Sequence, residues 1–303
     1  MNALPTSFLP RTLSTVTLWV AIIIAYCWRS EIAFIFLISF PALGVLWEYF
    51  ALLKAGGISH HRGIGMGAAL LLTGLNFWLL RCPAMALPLT QGGGGIFAVD
   101  AALFVLLGGA VFLREFGRNE PARPTADAIA FTLFGVVYIP WLFLFAAKLL
   151  YLTPRDSSGF TTGQYLVIFV LAVTKFTDVG AFLFGSIFGR TPFFPNISPN
   201  KTWEGIAGAL LLSVLIGVGI FHFLGSHLPP FSEWTVCALS LLFGVAGIAG
   251  DLAESLLKRS LQTKDSGQAL PGIGGGLDLI DSLLFTLPLF YFLLQFLLPA
   301  TKA

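Results

Sequence analysis

Long apolar runs dominate this sequence, and they restrict it more than any other feature. Between charged or Gly/Pro-rich breaks, nine stretches carry almost no charge: Thr12–Trp28, Ile32–Leu53, Gly65–Leu80, Ile96–Leu113, Ala126–Leu149, Tyr165–Gly185, Gly205–Phe223, Trp234–Leu256 and Leu279–Leu298. Each is close to the roughly 20 residues that cross a hydrocarbon core as a helix. Inside lipid every backbone N–H and C=O must be satisfied by the chain itself, which leaves helices or a closed barrel. The runs are continuous and do not alternate, so helices are expected. The expected fold class is therefore all-α, a polytopic transmembrane helical bundle of about nine spans. The third run is short enough to be re-entrant.

Composition agrees. Charged residues are 11% of the chain and hydrophobic residues 56%, against roughly 25% charged in soluble domains. A chain of this make-up lacks the polar surface that water requires, which excludes a soluble enzyme or binding module. Cys27, Cys82 and Cys237 are far apart in apolar runs; they have no metal-ligand spacing and read as small buried hydrophobes. The first run lacks a small-residue cleavage site and reads as a retained span. No nucleic-acid partner is expected, and membrane lipid is. The connections are short, and no internal repeat is evident.

Orientation follows from lysine and arginine. Eleven of them fall on the side of the N-terminus and the even-to-odd loops, and five on the other, with Lys175 inside a span. The bias places the N-terminus in the cytoplasm, together with the connections Arg190–Glu204 and Lys258–Asp278. The expected location is a bacterial inner (cytoplasmic) membrane with the functional site facing the cytoplasm. The chain divides, on this reading, into N-terminal transmembrane helices over residues 1–160 and a C-terminal catalytic region over residues 161–303.

Chemistry gathers in that C-terminal part. In G-D-L-A-E-S-L-L-K-R, Asp251, Glu254, Ser255 and Lys258 recur at i, i+3, i+4 and i+7, which aligns them on one helical face. An ionisable residue at membrane depth costs ~3 kcal/mol on insertion scales, so it faces a polar cavity. Next comes the glycine-rich stretch Gly272, Gly274, Gly275 and Gly276, whose amides can approach a phosphate closely. Asp278 and Asp281 follow at the start of the last span. Capping accounts for Asp278 but not for Asp281, a turn deeper. Asp251, Asp278 and Asp281 together make an all-oxygen site of the kind Mg²⁺ prefers; a second cation, monovalent or divalent, is also compatible. With Lys258, Arg259 and Lys264 close in sequence, the site suits a metal–polyphosphate complex.

The other polar loop, S-P-N-K-T-W-E-G, runs from Ser198 to Gly205. Pro199 and Asn200 suggest a turn there, Thr202 or Asn200 a helix cap, Lys201 a phosphate ligand, and Glu204 a partner for Lys201 or the turn. In the sixth run Lys175 and Asp178 stand at i, i+3, either neutralising each other or lining a cavity. His60, His61 and Arg62 form a basic cluster suited to anionic headgroups or to a solvated loop.

These segments resemble the phosphatidate cytidylyltransferase (CDP-diacylglycerol synthase) family. The likeness rests on S-P-N-K-T-W-E-G, on T-D-V-G-A-F at Thr177–Phe182, and on the long signature from Ser255 through Asp281. It covers the last third to half of the chain. Two positions depart from the family's signature: Ile273 replaces a histidine and Leu279 an arginine. The resemblance implies transfer of CMP from CTP to phosphatidic acid, giving CDP-diacylglycerol and pyrophosphate. It implies Asp251, Lys258, Asp278 and Asp281 as catalytic residues. It implies substrate contacts from Ser198, Asn200, Lys201, Glu204, Asp178, Glu254, Ser255, Arg259, Lys264, Asp265, Gly274 and Gly275. Self-association into a homodimer is left open. So are two other functions: a CTP-dependent polyprenol or phytol kinase, and an ion-coupled transporter in which Lys175, Asp178 and Asp251 mark an ion path.

Overall fold

The computed structural model describes residues 20, 24, 30–81, 94–117, 123–152, 162–261, 263 and 275–297. Among them, eight helices are long and apolar enough to cross a membrane. They coincide with the second to ninth expected runs, and the protein is an all-α polytopic membrane protein. The run Thr12–Trp28 lies outside the described residues apart from Val20 and Ile24. The third run is a full helix, Arg62–Arg81 of 20 residues, long enough at 1.5 Å per residue for about 30 Å.

By internal contacts the chain forms two compact units, Met1–Ala147 with Asp265–Leu277, and Lys148–Lys264 with Asp278–Ala303. The first contains α1 (Glu31–Ala55), α2 (Arg62–Arg81), α3 (Gly94–Phe116) and α4 (Arg123–Val136). A π turn, Val137–Trp141, follows α4 and contains Pro140. Proline lacks the N–H that an α-helix would use, so the ladder loosens there. The chain then resumes as α5 (Phe145–Leu150). Ser30 caps α1 by accepting from the Ala33 amide at 3.3 Å.

Several polar groups buried in this unit are paired, which offsets the cost of removing them from water. Asp100 accepts from Asn76 Nδ2 at 2.8 Å and from Trp141 Nε1 at 2.9 Å. Glu48 Oε2 accepts from the Gly276 amide at 2.5 Å. The basic cluster is engaged with protein. His61 Nε2 lies 2.6 Å from Glu115 Oε1, and the His61 amide donates to Thr132 Oγ1 at 2.9 Å. The His60 ring stacks on Phe50, and the Arg62 guanidinium covers the Trp47 ring.

The second unit holds α6 (Gln164–Phe188), a hairpin of β1 (Pro192–Phe194) and β2 (Ser198–Thr202), α7 (Trp203–Leu224), a 3₁₀ turn (Gly225–His227), α8 (Glu233–Ser260) and α9 (Leu277–Leu297), the last from Asp278 onward. Small residues let its helices approach closely. A Cβ on Gly180 would lie 2.9 Å from the Gly208 carbonyl oxygen, and one on Gly205 would lie 2.9 Å from that of Ala181, so α6 and α7 meet backbone to backbone. Phe169, Phe243 and Phe290 tie α6, α8 and α9 together, with ring centroids 5.0–6.1 Å apart. Lys148, near the end of the fifth apolar run, is 2% exposed.

Candidate active site

The segment Ser198–Thr202 is a strand, β2, paired antiparallel with β1 in the register Pro192↔Thr202 and Phe194↔Ser198. The turn therefore falls at residues 195–197 and not at Pro199–Asn200; the Ile197 amide closes it on the Phe194 carbonyl at 3.1 Å. Thr202 caps α7 by accepting from the Gly205 amide at 3.1 Å. Glu204, in the first turn of α7, clamps the start of the hairpin. Its carboxylate accepts from the Arg190 and Thr191 amides at 3.1 and 3.2 Å, and from the Thr191 hydroxyl at 3.1 Å. With its base fixed, β2 presents Lys201 to α8, where Nζ lies 2.6 Å from Asp251 Oδ2. Arg259, at the end of α8, donates to the Ile197 carbonyl at 3.4 Å and so contacts the turn.

One turn along α8 from Asp251, Glu254 is 1% exposed. Lys258 Nζ lies 2.8 Å from its Oε1 and 2.5 Å from Asp278 Oδ1. Lys258 thus bridges a carboxylate of its own helix and one in the first turn of α9. Gly250 makes the approach of α9 close enough for more than this bridge. A Cβ there would lie 2.5 Å from the Asp281 carbonyl oxygen and 3.0 Å from Ser282 Cα. Asp281, 5% exposed, is thereby brought to Asp251 and Glu254, and one carboxylate oxygen from each lies within 4.8 Å of the others.

The structure therefore gathers Asp251, Glu254 and Asp281, and sets Asp278 beside them on Lys258. Asp178 is joined to α9 through Ser282 Oγ, which donates to its Oδ2 at 3.2 Å. Ser198 and the exposed Asn200 lie on β2, Ser255 follows Glu254 on α8, and Gly275 is buried. Lys264, Asp265, Gly274 and Ile273 lie outside the described residues. Leu279 is half-buried in the first turn of α9.

Glu254, a substrate contact by the family resemblance, stands in the carboxylate group, and Ser282 beside it has no role expected from sequence. Glu48, Asp100 and Glu115 in the first unit were likewise without an expected role. The signal available for these three was a carboxylate inside or at the edge of an apolar run, which is costly enough to imply a partner.

Three oxygen donors with flanking ammonium groups suit a divalent cation and a polyphosphate. The donor set fits such an ion: Asp251, Glu254 and Asp281 each offer a carboxylate oxygen within 4.8 Å of the other two, and Lys258 is ion-paired to Glu254 Oε1 at 2.8 Å. A membrane-embedded carboxylate–lysine centre of this kind defines a candidate phosphoryl- or nucleotidyl-transfer site. The sequence profile of the cytidylyltransferase family matches residues 10–297, and the chain belongs to that family.

Among curated proteins, it is 36% identical over 165 residues to the phosphatidate cytidylyltransferase of Staphylococcus haemolyticus (strain JCSC1435), covering 54% of this chain and 58% of that protein. The Staphylococcus aureus (strain COL) protein of the same name matches equally, at 36% over 165 residues, 54% of this chain and 58% of that protein. The uncharacterized protein YnbB of Escherichia coli (strain K12) is 38% identical over 151 residues, 50% of this chain and 48% of that protein. The chain thus spans about half the length of the curated relatives it matches.

Proposed function

We propose that the protein is a phosphatidate cytidylyltransferase that moves CMP from CTP to phosphatidic acid, releasing pyrophosphate and leaving CDP-diacylglycerol. The observation that carries this reading is the meeting of Asp251, Glu254 and Asp281 within 4.8 Å, flanked by Lys201 and Lys258. A phosphate oxygen of phosphatidic acid attacks the α-phosphorus of CTP, and the bond to the bridging oxygen of the β-phosphate breaks. The attacking phosphate is already an anion, so the step needs little general-base help. It needs charge neutralisation, because two anions must approach in line.

Lys201 and Lys258 supply part of that field from fixed positions, and Arg259 adds to it beside the hairpin turn. Asp251, Glu254 and Asp281 would hold Mg²⁺, with Asp278 adjacent; such an ion stabilises charge on the leaving pyrophosphate. Glu204 acts through the hairpin, keeping Lys201 against Asp251. The site opens to the cytoplasm in this reading, where CTP is found, and admits phosphatidic acid from the bilayer.

The test is transfer of label by the purified protein in vesicles containing phosphatidic acid, with Asp278→Asn as control. Label from α-phosphate CTP should enter the lipid, and the Asn variant should lose that transfer. Entry of label from γ-phosphate CTP alone would make the protein a lipid kinase and overturn the assignment.

A further inference from the structure

The proposed chemistry leaves one polar cluster of the second unit unused: Lys175 and Asp178 on α6 and Ser282 on α9. Lys175 Nζ donates to Asp178 Oδ2 at 3.1 Å and to Ser282 Oγ at 3.0 Å. Ser282 Oγ in turn donates to Asp178 Oδ2 at 3.2 Å, closing a ring of three groups from two helices. Ser282 is fully buried, and its amide donates to Asp281 Oδ1 at 2.5 Å. The next turn repeats the link, with Thr174 Oγ1 donating to Thr286 Oγ1 at 3.1 Å.

An i, i+3 lysine–aspartate pair that merely neutralised itself would need neither a third partner nor a second helix. Here the ammonium reaches across to α9 and takes hold of the residue whose amide orients Asp281.

We propose that Lys175 and Ser282 are positioning residues for Asp281. Asp178 holds the ammonium, and the ammonium holds α9 through the Ser282 hydroxyl. That grip fixes the turn on which Asp281 meets Asp251 and Glu254. The inference rests on the reading of those three carboxylates as the metal-holding part of a cytidylyltransferase site.

Two roles for Lys175 predict opposite signs for metal affinity. A lysine that acts only as a charge repels a divalent cation from nearby carboxylates, so its removal tightens metal binding. A lysine that positions Asp281 does the reverse, because its removal lets a ligand drift. Removing residues that orient metal ligands lowers metal affinity or activity by about 10–100-fold.

The experiment measures Mn²⁺ binding by electron paramagnetic resonance, together with kcat and KM for CTP and thermal unfolding. The proteins compared are wild type, Lys175→Met, Ser282→Ala and the double variant Lys175→Met/Asp178→Asn. Positioning predicts Mn²⁺ binding weakened by about tenfold in each single variant, a loss in kcat larger than any change in KM, and no recovery in the double variant. Tighter or unchanged Mn²⁺ binding in Lys175→Met overturns the proposal, as does recovery in the double variant or wild-type behaviour of Ser282→Ala. Ser282→Ala keeps every charge and removes one oxygen, so it decides the question if Lys175→Met does not fold. If the wild type transfers no label from CTP, the cytidylyltransferase reading fails while the Mn²⁺ arm still decides the role of Lys175.

Discussion

Replacing Gly250 by alanine isolates one link between sequence and site. The added Cβ would lie 2.5 Å from the Asp281 carbonyl oxygen and 3.0 Å from Ser282 Cα. Ordinary contact of a Cβ begins at 3.4 Å, so α8 and α9 must separate by about 1 Å locally. The obstacle is backbone on a packed helix, which cannot swing aside as a flexible side chain would. Overpacking of this kind costs about 1–3 kcal/mol, offset in part by the roughly 1 kcal/mol that alanine gains over glycine inside a helix. The fold should therefore survive.

Activity has no such offset. Asp251 neighbours Gly250, and Asp281 is the residue displaced, so the two carboxylates move apart. A misplacement of about 1 Å at a reacting centre costs about 100-fold in rate, equivalent to about 2.7 kcal/mol of transition-state stabilisation. Steady-state turnover of CTP with phosphatidic acid, at saturating Mg²⁺, reads this directly. Gly219, which has nothing within 4 Å of an added Cβ, provides the control: Gly219→Ala should turn over as wild type does. If Gly250→Ala keeps activity within twofold of wild type, the close approach of α8 and α9 does not set the site and the reasoning fails.

Other perturbations separate the parts of the site. Lys258→Met leaves Glu254 buried and Asp278 without its bridge; breaking a buried ion pair in this way costs about 3 kcal/mol, so both the unfolding temperature and kcat should drop, with circular dichroism reporting the first. Glu204→Ala removes three hydrogen bonds from the base of the hairpin and should raise KM for CTP several-fold with little change in thermal stability, because the clamp is exposed and acts through Lys201. In the first unit, Asp100→Leu takes an acceptor from the half-buried Trp141 and from the buried Asn76, whose Nδ2 keeps only the Leu72 carbonyl, at about 1–3 kcal/mol each. It should lower the unfolding temperature while protein that remains folded keeps its KM for CTP. A large KM change in that variant would assign the first unit a part in nucleotide binding.

The helices were legible because lipid leaves a chain little choice. A run of apolar residues near 20 long must satisfy its own backbone, and eight of the expected runs are helices in the structure. Spacing within one helix was legible too. Asp251, Glu254 and Lys258 share a face because the helical period puts them there, and Thr202 caps α7 because its hydroxyl can reach an amide three residues on. The hairpin was less so. Pro199 and Asn200 suit a turn by type, yet the stretch is extended, since Glu204 ties down the strand base at Arg190 and Thr191 and the chain reverses earlier, at residues 195–197.

Contacts between helices were the least legible, because side-chain identity does not state how near two backbones come. Nothing in the spacing of Asp278 and Asp281 says which of them joins Asp251. Both lie in the opening turns of α9, three residues apart, and either could meet α8. Gly250 decides it: lacking a Cβ, it admits the Asp281–Ser282 backbone. Asp281 then lies level with Asp251 and Glu254, while Asp278, nearly a turn nearer the helix start, lies level with Lys258. The same approach places Ser282 where Lys175 can reach it. A glycine that looked like ordinary helix packing in a chain with 33 of them thus determines which carboxylates share a centre and which one is left to an ammonium.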